Sequence, residues 1–145
     1  MTTIIVGVDG SAGSIEALQW AVQEAELRGA KVRAISVWDF PYAYGGLTAT
    51  VPLPTEGLED ATRASLETAI VAAVPDAAKA AAIERAVMSG NPSNVLVDES
   101  AHADMLVVGA RGHGGFLGLL LGSTSDQIVK HAACPVVVVR SRTSA

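Results

Sequence analysis

The sequence alternates short runs rich in β-branched residues with longer stretches of helical periodicity, and this alternation limits the possible folds more than any other feature. The strand-like runs are TIIVGVD, AKVRAISVW, IERAVMSG, ADMLVVGA and CPVVVVR. Helical patterns lie between them, in residues 10–29, from about Glu56 to Ala73, in NPSNVLVDESA and in STSDQIVKHAA. Strands that alternate with helices predict a mostly parallel sheet covered on both faces, so we expect an α/β open sandwich.

Individual residues predict where several of these helices begin and end. Gly29 follows the first helical stretch and predicts its C-terminal end, while Asn91 and Pro92 predict an N-cap and a first helical residue. The segment DAAKAAA is compatible with either a helical turn or a connector. Residues 39–55 contain three prolines and a pair of glycines, and they form the longest predicted loop. Loops of this length are usually functional or mobile.

The composition is that of a globular protein. With 145 residues, of which 50% are hydrophobic and 17% charged, the chain can bury a sizeable core, and we expect residues 1–145 to form a single domain. Every apolar run is interrupted well before about 18 residues and the N-terminus lacks a signal-peptide pattern, so we expect no membrane segment. The single cysteine, Cys134, fits a reducing compartment. We therefore expect a cytoplasmic protein.

Charge and aromatic content argue against a nucleic-acid partner. The formal net charge is −5, whereas a nucleic-acid surface shows a clustered excess of lysine and arginine. Only 4% of the residues are aromatic, which leaves little material for stacking on bases. Any anionic ligand would therefore be held by groups other than a cluster of basic side chains.

The stretch GARGHGGFLGLLLGST, residues 109–124, contains six of the 14 glycines and connects the fourth strand to the last helix. The stretch therefore starts at the carboxyl end of a parallel strand. In open α/β sheets, ligands bind at the edge formed by these carboxyl ends. Glycines allow close approach of the backbone, and the N–H groups of a helix N-terminus attract anions, so the stretch can hold a phosphate without a lysine. Ser123 and Asp126 have the spacing of a capping box, which predicts Ser123 as the N-cap. The glycines alone leave a flexible connection open as the alternative.

Two common nucleotide-binding motifs are absent from the sequence. A Walker A motif needs a lysine before the serine, and no lysine precedes Ser123. The dinucleotide fingerprint should follow the first strand, but Gly7, Gly10 and Gly13 lie there at a different spacing. These observations argue against a P-loop of that kind and against a nicotinamide dehydrogenase.

The glycine-rich stretch does fit another pattern, with Gly109, two residues, Gly112, nine residues, and then Gly122 followed by Ser123. This G-x2-G-x9-G-[ST] arrangement resembles the ATP-binding signature of the universal stress protein family. The flanking sequences IIVGVDGSAGSIEALQWA, HADMLVVGARGHGG and LGSTSDQIVKHAACPVVVVR also resemble that family. The resemblance covers the whole chain and is weakest over residues 39–82, from which no site residue is inferred.

The resemblance implies a Rossmann-like sheet of five parallel strands in the order 3-2-1-4-5, with a nucleotide between the first and fourth strands. Glycines and a hydroxyl of the signature would hold ribose and phosphates; these residues are Gly109, Gly112, Gly122 and Ser123. Asp9 matches the family's aspartate near adenine and ribose, with a simple helix N-cap as its alternative role. Gly7 would line the pocket, and the backbone of Val37 would read the adenine edge. The implied ligand is ATP, with Mg²⁺ bound through the triphosphate.

Several residues near the signature keep two interpretations. Arg111 and His113 could contact a phosphate or lie exposed on the surface, and Gly115 belongs to the same predicted loop. Thr124 could contact the nucleotide or simply suit a first helical turn.

Cys134 is expected to be a small buried residue and not a nucleophile. The three histidines, His102, His113 and His131, lack metal-ligand spacing, and Trp20 and Trp38 are expected in the core or the pocket wall.

The last strand contains four consecutive valines, Val136, Val137, Val138 and Val139. At a sheet edge such a strand invites association, and the family resemblance favours a homodimer in which two copies of this strand pair. The alternative is that a helix or the C-terminal tail covers the strand.

Four functions are compatible with this sequence. The favoured one is a dimeric module that binds ATP and signals the nucleotide or stress state to an unidentified protein partner. A slow ATP hydrolase or phosphotransferase is a second, although no base is evident beside the γ-phosphate. A binder of AMP or cyclic AMP is a third. A ligand-free interaction protein is a fourth, but it would leave the glycine spacing unexplained.

Overall fold

A single parallel sheet organises the protein. The computed structural model describes residues 2–38, 56–110 and 121–141. The strands are β1 (Thr3–Gly7), β2 (Lys31–Trp38), β3 (Glu84–Ser89), β4 (Met105–Gly109) and β5 (Val136–Val139). The helices are α1 (Ala12–Arg28), α2 (Glu56–Ala73), α3 (Ala77–Ala81), α4 (Pro92–Ser100) and α5 (Ser123–His131). The predicted alternation of strands and helices is confirmed in these ranges, and DAAKAAA contains the short helix α3.

The strands lie in the order β3-β2-β1-β4-β5, and every neighbouring pair is parallel. The chain moves outward from β1 through β2 to β3 and then returns to the other side of β1 for β4. The strand order therefore reverses between β1 and β4, which confirms the order that the family resemblance implies. Ligand crevices of open α/β sheets lie at this reversal, outside the carboxyl ends of the strands.

The two faces of the sheet carry separate apolar cores. Alternate residues of β1 point to opposite faces, so Ile4 packs with α1 and α2 while Ile5 packs with α4 and α5. Both isoleucines are fully buried, and burial of such a side chain contributes about 1.5–3 kcal/mol to folding. In the described ranges, no helix has both the length and the apolar character needed to cross a membrane.

Most helix ends lie where the sequence predicts them. Gly29 ends α1 in the left-handed conformation, with φ of 65°, a region that glycine enters without strain. The side chain of Asn91 accepts a hydrogen bond from Asn94 N at 3.2 Å, and Pro92 is the first residue of α4. These local signals correctly predict the end of α1 and the start of α4.

The predicted capping box at Ser123 and Asp126 is wrong. Gly122 is the N-cap of α5, and its carbonyl accepts the first helical bond, from Asp126 N at 2.9 Å. Gly122 N in turn donates to Ala110 O at 2.7 Å, so a contact with the end of β4 decides where the helix starts. Ser123 is the first helical residue, and Asp126 pairs with Lys130 at 3.0 Å.

Candidate functional site

The described part of the predicted site lies where β1 and β4 end side by side. Ile4, Ile5 and Val6 pair with Met105, Leu106 and Val107 in β4, which brings the ends of both strands to one edge. Asp9 follows β1 at this edge, and Gly109 ends β4. The structure thus brings Asp9 and Gly109, two of the predicted site residues, to the reversal of the sheet.

Two hydrogen bonds fix the start of α5 to the end of β4, and a third ties the end of β4 to β5. Ala110 N donates to Val139 O in β5 at 3.0 Å. At the start of α5, Gly122 N donates to Ala110 O at 2.7 Å, and Ser125 Oγ donates to Gly109 O at 2.6 Å. Ser125 is buried, so this last bond is shielded from water. The first turn of α5 is therefore held at the carboxyl edge of the sheet, beside the end of β4.

The N-terminus of α5 differs from the other helix starts whose caps are described. Side chains cap α1, α3 and α4, through Ser11, Asp76 and Asn91. The N-cap of α5 is Gly122, which makes no side-chain cap hydrogen bond. The first N–H groups of a helix have no partner within the helix and carry partial positive charge, so this end is suited to an anion.

Asp9 is held in a turn that precedes α1. Its Oδ1 accepts hydrogen bonds from Ser11 N, at 2.9 Å, and from Ser11 Oγ. Ser14 Oγ accepts from Asp9 N at 3.3 Å and donates to Ser11 O at 2.9 Å. Between Asp9 and Ser11, Gly10 adopts φ of 83° and makes the tight turn possible. The carboxylate is exposed but fixed relative to α1.

Sequence reasoning missed Ser11 and Ser14 as parts of this site. Their signal was present, because a serine directly before a helical stretch is a common N-cap. The sequence pattern indicates only the start of the first helix, because the link to the preceding Asp9 depends on the turn geometry.

Two glycines of the predicted site pack closely against neighbouring helices. A Cβ on Gly7 would lie 2.8 Å from Leu96 Cδ1 in α4. A Cβ on Gly109 would lie 2.8 Å from Gly13 O, in the first turn of α1. Real Cβ atoms essentially never approach that closely, so packing alone accounts for a glycine at both positions. Their predicted ligand contacts stay predictions.

Val37 lies near the carboxyl end of β2, where it is half-buried and pairs with Met88 in β3. The adjoining end of β1 is tied to the same strand, because Val8 N donates to Ile35 O at 2.9 Å. Trp38, the last residue of β2, is half-buried as well. Trp20 packs against the core on the α1 side of the sheet.

Four of the predicted nucleotide contacts, Arg111, Gly112, His113 and Gly115, lie outside the described residues. Ser123 is exposed and Thr124 half-buried in the first turn of α5. Within residues 2–38, 56–110 and 121–141, no group of three or more His, Cys, Asp or Glu residues is placed to hold a metal ion.

Cys134 is half-buried, not fully buried as predicted. Burial, and secondarily the carboxylate of Asp104, raises the pKa of its thiol. A raised pKa keeps the thiol protonated near neutral pH, and only the thiolate is a strong nucleophile. The geometry therefore agrees with a structural cysteine.

Comparison with known proteins identifies relatives over the whole length of this fold. The model of the universal stress protein family matches residues 1–140. Universal stress protein Rv2624c of Mycobacterium tuberculosis is 38% identical over 144 residues, which cover 98% of this chain and 49% of that protein. A universal stress protein of Mycolicibacterium smegmatis is 33% identical, with 96% of this chain and 46% of that protein covered. The chain thus spans about half the length of these curated relatives, and its organisation as a single domain stays a prediction.

Solved structures show the same fold. The universal stress protein UspA from Lactobacillus plantarum superposes with a TM-score of 0.75 at 27% identity, covering 96% of this chain and 97% of that one. A universal stress protein in complex with cAMP superposes with a TM-score of 0.59 at 28% identity, covering 96% of each chain. Sequence, strand order and fold agree, and the chain belongs to the universal stress protein family.

Proposed function

We propose that the protein binds ATP across the β1–β4 reversal and acts as a dimeric nucleotide-binding module in a stress response. The observation that carries this proposal is the juxtaposition of the Asp9 turn with the glycine-capped start of α5. A carboxylate accepts hydrogen bonds from ribose hydroxyls or from the adenine amine, whereas a helix N-terminus attracts phosphate. The Asp9 turn thus suits the nucleoside of a nucleotide, and the start of α5 suits its phosphates.

The orientation of the ligand follows from charge. Asp9 would repel phosphate, so the nucleoside lies on the β1 side and beside the carboxyl end of β2 at Val37. The phosphates lie at Gly122, Ser123 and Thr124, where N–H groups and hydroxyls donate hydrogen bonds. Residues 111–115 complete the phosphate site in this proposal, and Mg²⁺ enters with the triphosphate, held by its oxygens.

Binding rather than efficient catalysis is the function that these residues support. Phosphoryl transfer needs an oriented nucleophile and concentrated positive charge at the γ-phosphate. Asp9 is committed to the nucleoside end, and Arg111 is the one candidate charge that the sequence offers at the loop. Slow hydrolysis is the alternative, and it predicts phosphate release that depends on Mg²⁺ and on Arg111.

A second candidate ligand is a nucleotide with one phosphate. A similar universal stress protein has been crystallised in complex with cAMP, which favours AMP or cyclic AMP as the alternative to ATP. The helix N-terminus would accept a single phosphate equally well, so the two ligands differ in the number of phosphates that the loop contacts. Competition between ATP and cyclic AMP for the protein measures this preference directly.

The proposed site is tested by the substitution Gly122→Glu. Gly122 has φ of −69° and ψ of 163°, a conformation open to any residue, so the backbone tolerates the change. The new carboxylate would occupy the anion position at the start of α5, and we expect ATP binding measured by isothermal titration calorimetry to be lost.

The matched control is Ala81→Glu, which adds the same charge on an exposed residue of α3, at the opposite edge of the sheet. This variant should bind ATP like the wild type. Unchanged ATP affinity in Gly122→Glu would contradict the site, and loss of binding in both variants would point to net charge as the cause.

A further inference from the structure

The hydroxyl of Ser11 joins the proposed nucleoside contact to the first turn of α1. Ser11 Oγ donates its single proton to Asp9 Oδ1 and accepts a hydrogen bond from Ser14 N at 3.2 Å. The same Asp9 oxygen accepts from Ser11 N at 2.9 Å. A serine hydroxyl has one proton to donate and lone pairs that can accept. Here a lone pair accepts from Ser14 N, and the single proton is donated to the Asp9 carboxylate.

We propose that Ser11 is a positioning residue for the nucleoside, which holds the Asp9 carboxylate in the orientation that accepts ribose or adenine hydrogen bonds. This inference rests on the proposed function. Asp9 is exposed, and an exposed carboxylate loses rotational freedom when it binds a ligand. A hydrogen bond that fixes the carboxylate beforehand removes part of that cost, so the bound orientation is already present in the free protein.

Neighbouring contacts fix the position of the Asp9 turn relative to the end of β4, where the proposed phosphate site lies. Ser14 Oγ accepts from Asp9 N at 3.3 Å and holds the backbone of Asp9 against the helix. The first turn of α1 also touches the end of β4, since a Cβ on Gly109 would lie 2.8 Å from Gly13 O. The Asp9 carboxylate is therefore positioned relative to both strands that flank the nucleotide.

A substitution at Ser11 separates the side-chain bond from the backbone bond. In Ser11→Ala the bond from Ser11 N to Asp9 Oδ1 remains, but the hydroxyl bond is lost. We expect ATP affinity to fall about tenfold, the usual effect of losing a hydrogen bond to a charged group. Affinity for inorganic tripolyphosphate, which lacks a nucleoside, should stay unchanged, because the start of α5 is not altered.

A double-mutant cycle with Asp9→Ala, which removes the acceptor oxygen, distinguishes positioning from a general effect on the fold. If Ser11 acts through the Asp9 carboxylate, Ser11→Ala lowers ATP affinity in the wild type but adds little in the Asp9→Ala background. A purely structural role of Ser11 predicts the same loss in both backgrounds. Isothermal titration calorimetry with ATP on the four proteins measures this coupling.

Two further variants control for the loss of a helix cap. Ser11→Thr retains a hydroxyl and should restore ATP affinity to that of the wild type. Asp76→Ala removes the side-chain cap of α3, at the opposite edge of the sheet, where Asp76 Oδ1 accepts from Ala78 N at 2.9 Å. This variant should leave the affinity for ATP unchanged.

The possible results separate the inference from the function on which it rests. ATP binding by the wild type, a selective loss in Ser11→Ala and non-additivity with Asp9→Ala support the positioning role. Equal losses for ATP and tripolyphosphate, or additive losses in the cycle, overturn it while the proposed function stands. A wild type that binds no adenine nucleotide overturns the proposed function and this inference with it.

Discussion

Single glycines set the distance between the sheet and its helices at the candidate site. Gly109 lets the first turn of α1 approach the end of β4, and Gly7 lets α4 approach β1. Both positions belong to the family-like pattern of the sequence, and the structure gives each of them a packing reason that holds with or without a ligand. A glycine in a binding signature therefore does not by itself identify a ligand contact.

The two glycines should respond differently to alanine. At Gly109 the added Cβ would meet the carbonyl group of Gly13, at 2.8 Å for the oxygen and 2.9 Å for the carbon, and backbone atoms cannot rotate away. At Gly7 it would meet the terminal methyl of Leu96, which can change rotamer. We expect Gly109→Ala to lower the free energy of unfolding by about 1–3 kcal/mol, and Gly7→Ala by less.

Urea unfolding of the three proteins measures this order. An equal or smaller loss of stability in Gly109→Ala than in Gly7→Ala would contradict the close contact between β4 and α1. The comparison is matched, because both substitutions add one methyl group at the carboxyl end of a central strand.

Residues that act locally were predictable from the sequence, and residues that act through tertiary contacts were not. Gly29 ends a helix through its left-handed conformation, and Asn91 starts one through its side chain. Both roles can be predicted from the neighbouring residues in the sequence. Ser123 has the same local signal, yet Gly122 becomes the N-cap because it bonds to Ala110. That partner lies at the other end of the glycine-rich stretch, and no local pattern indicates the bond.

At the scale of elements, β5 is the strand whose environment matters most for assembly. It pairs with β4 on one side and has no neighbour on its other side among the described strands. Pro135 O and Val139 O accept from Leu106 N and Ala110 N in β4. Since backbone groups alternate along a strand, the N–H groups of Val136 and Val138 point to the open edge.

This geometry gives a specific test of the proposed homodimer. Val138→Pro removes an N–H from the open edge and leaves those of Val137 and Val139 directed toward β4. We expect the variant to be monomeric in size-exclusion chromatography with light scattering, whereas Val138→Ala, which trims the side chain but keeps the N–H, should remain dimeric. A dimeric Val138→Pro variant would show that the β5 edge is not the interface.

The bounds of the elements were largely predictable because each strand and helix carries its own periodicity. Both faces of the sheet are covered, so β1 and β4 appear as continuous apolar runs, and α2 begins and ends at the residues that the sequence predicts. The predicted loop over residues 39–55 and most of the glycine run lie outside the described residues, and their roles stay predictions.

For the whole molecule, the alternation of strands and helices along the sequence predicts the class of fold but not the order of the strands in the sheet. The order depends on which side of β1 each crossover returns to, and that choice is made by the packing of helices on the sheet. The order 3-2-1-4-5 came from the family resemblance and is confirmed. It places the reversal between β1 and β4, and so brings Asp9 and Gly109 to one edge although they are distant in sequence.

The charge of the whole molecule fits the proposed way of holding a phosphate. With a formal net charge of −5, the protein has no general attraction for anions, so binding would depend on oriented N–H groups at one helix end. In the proposed site these groups would recognise the phosphates, and Asp9 would recognise the nucleoside. This combination would let an acidic protein hold an adenine nucleotide.

The most direct test of nucleotide binding is to identify what co-purifies with the protein, by acid extraction followed by mass spectrometry. We expect ATP in an amount comparable to that of the chain. ADP alone would favour slow hydrolysis, and cyclic AMP or AMP would change the ligand but keep the site. An empty protein whose melting temperature does not change when ATP is added would contradict the nucleotide site at the β1–β4 reversal.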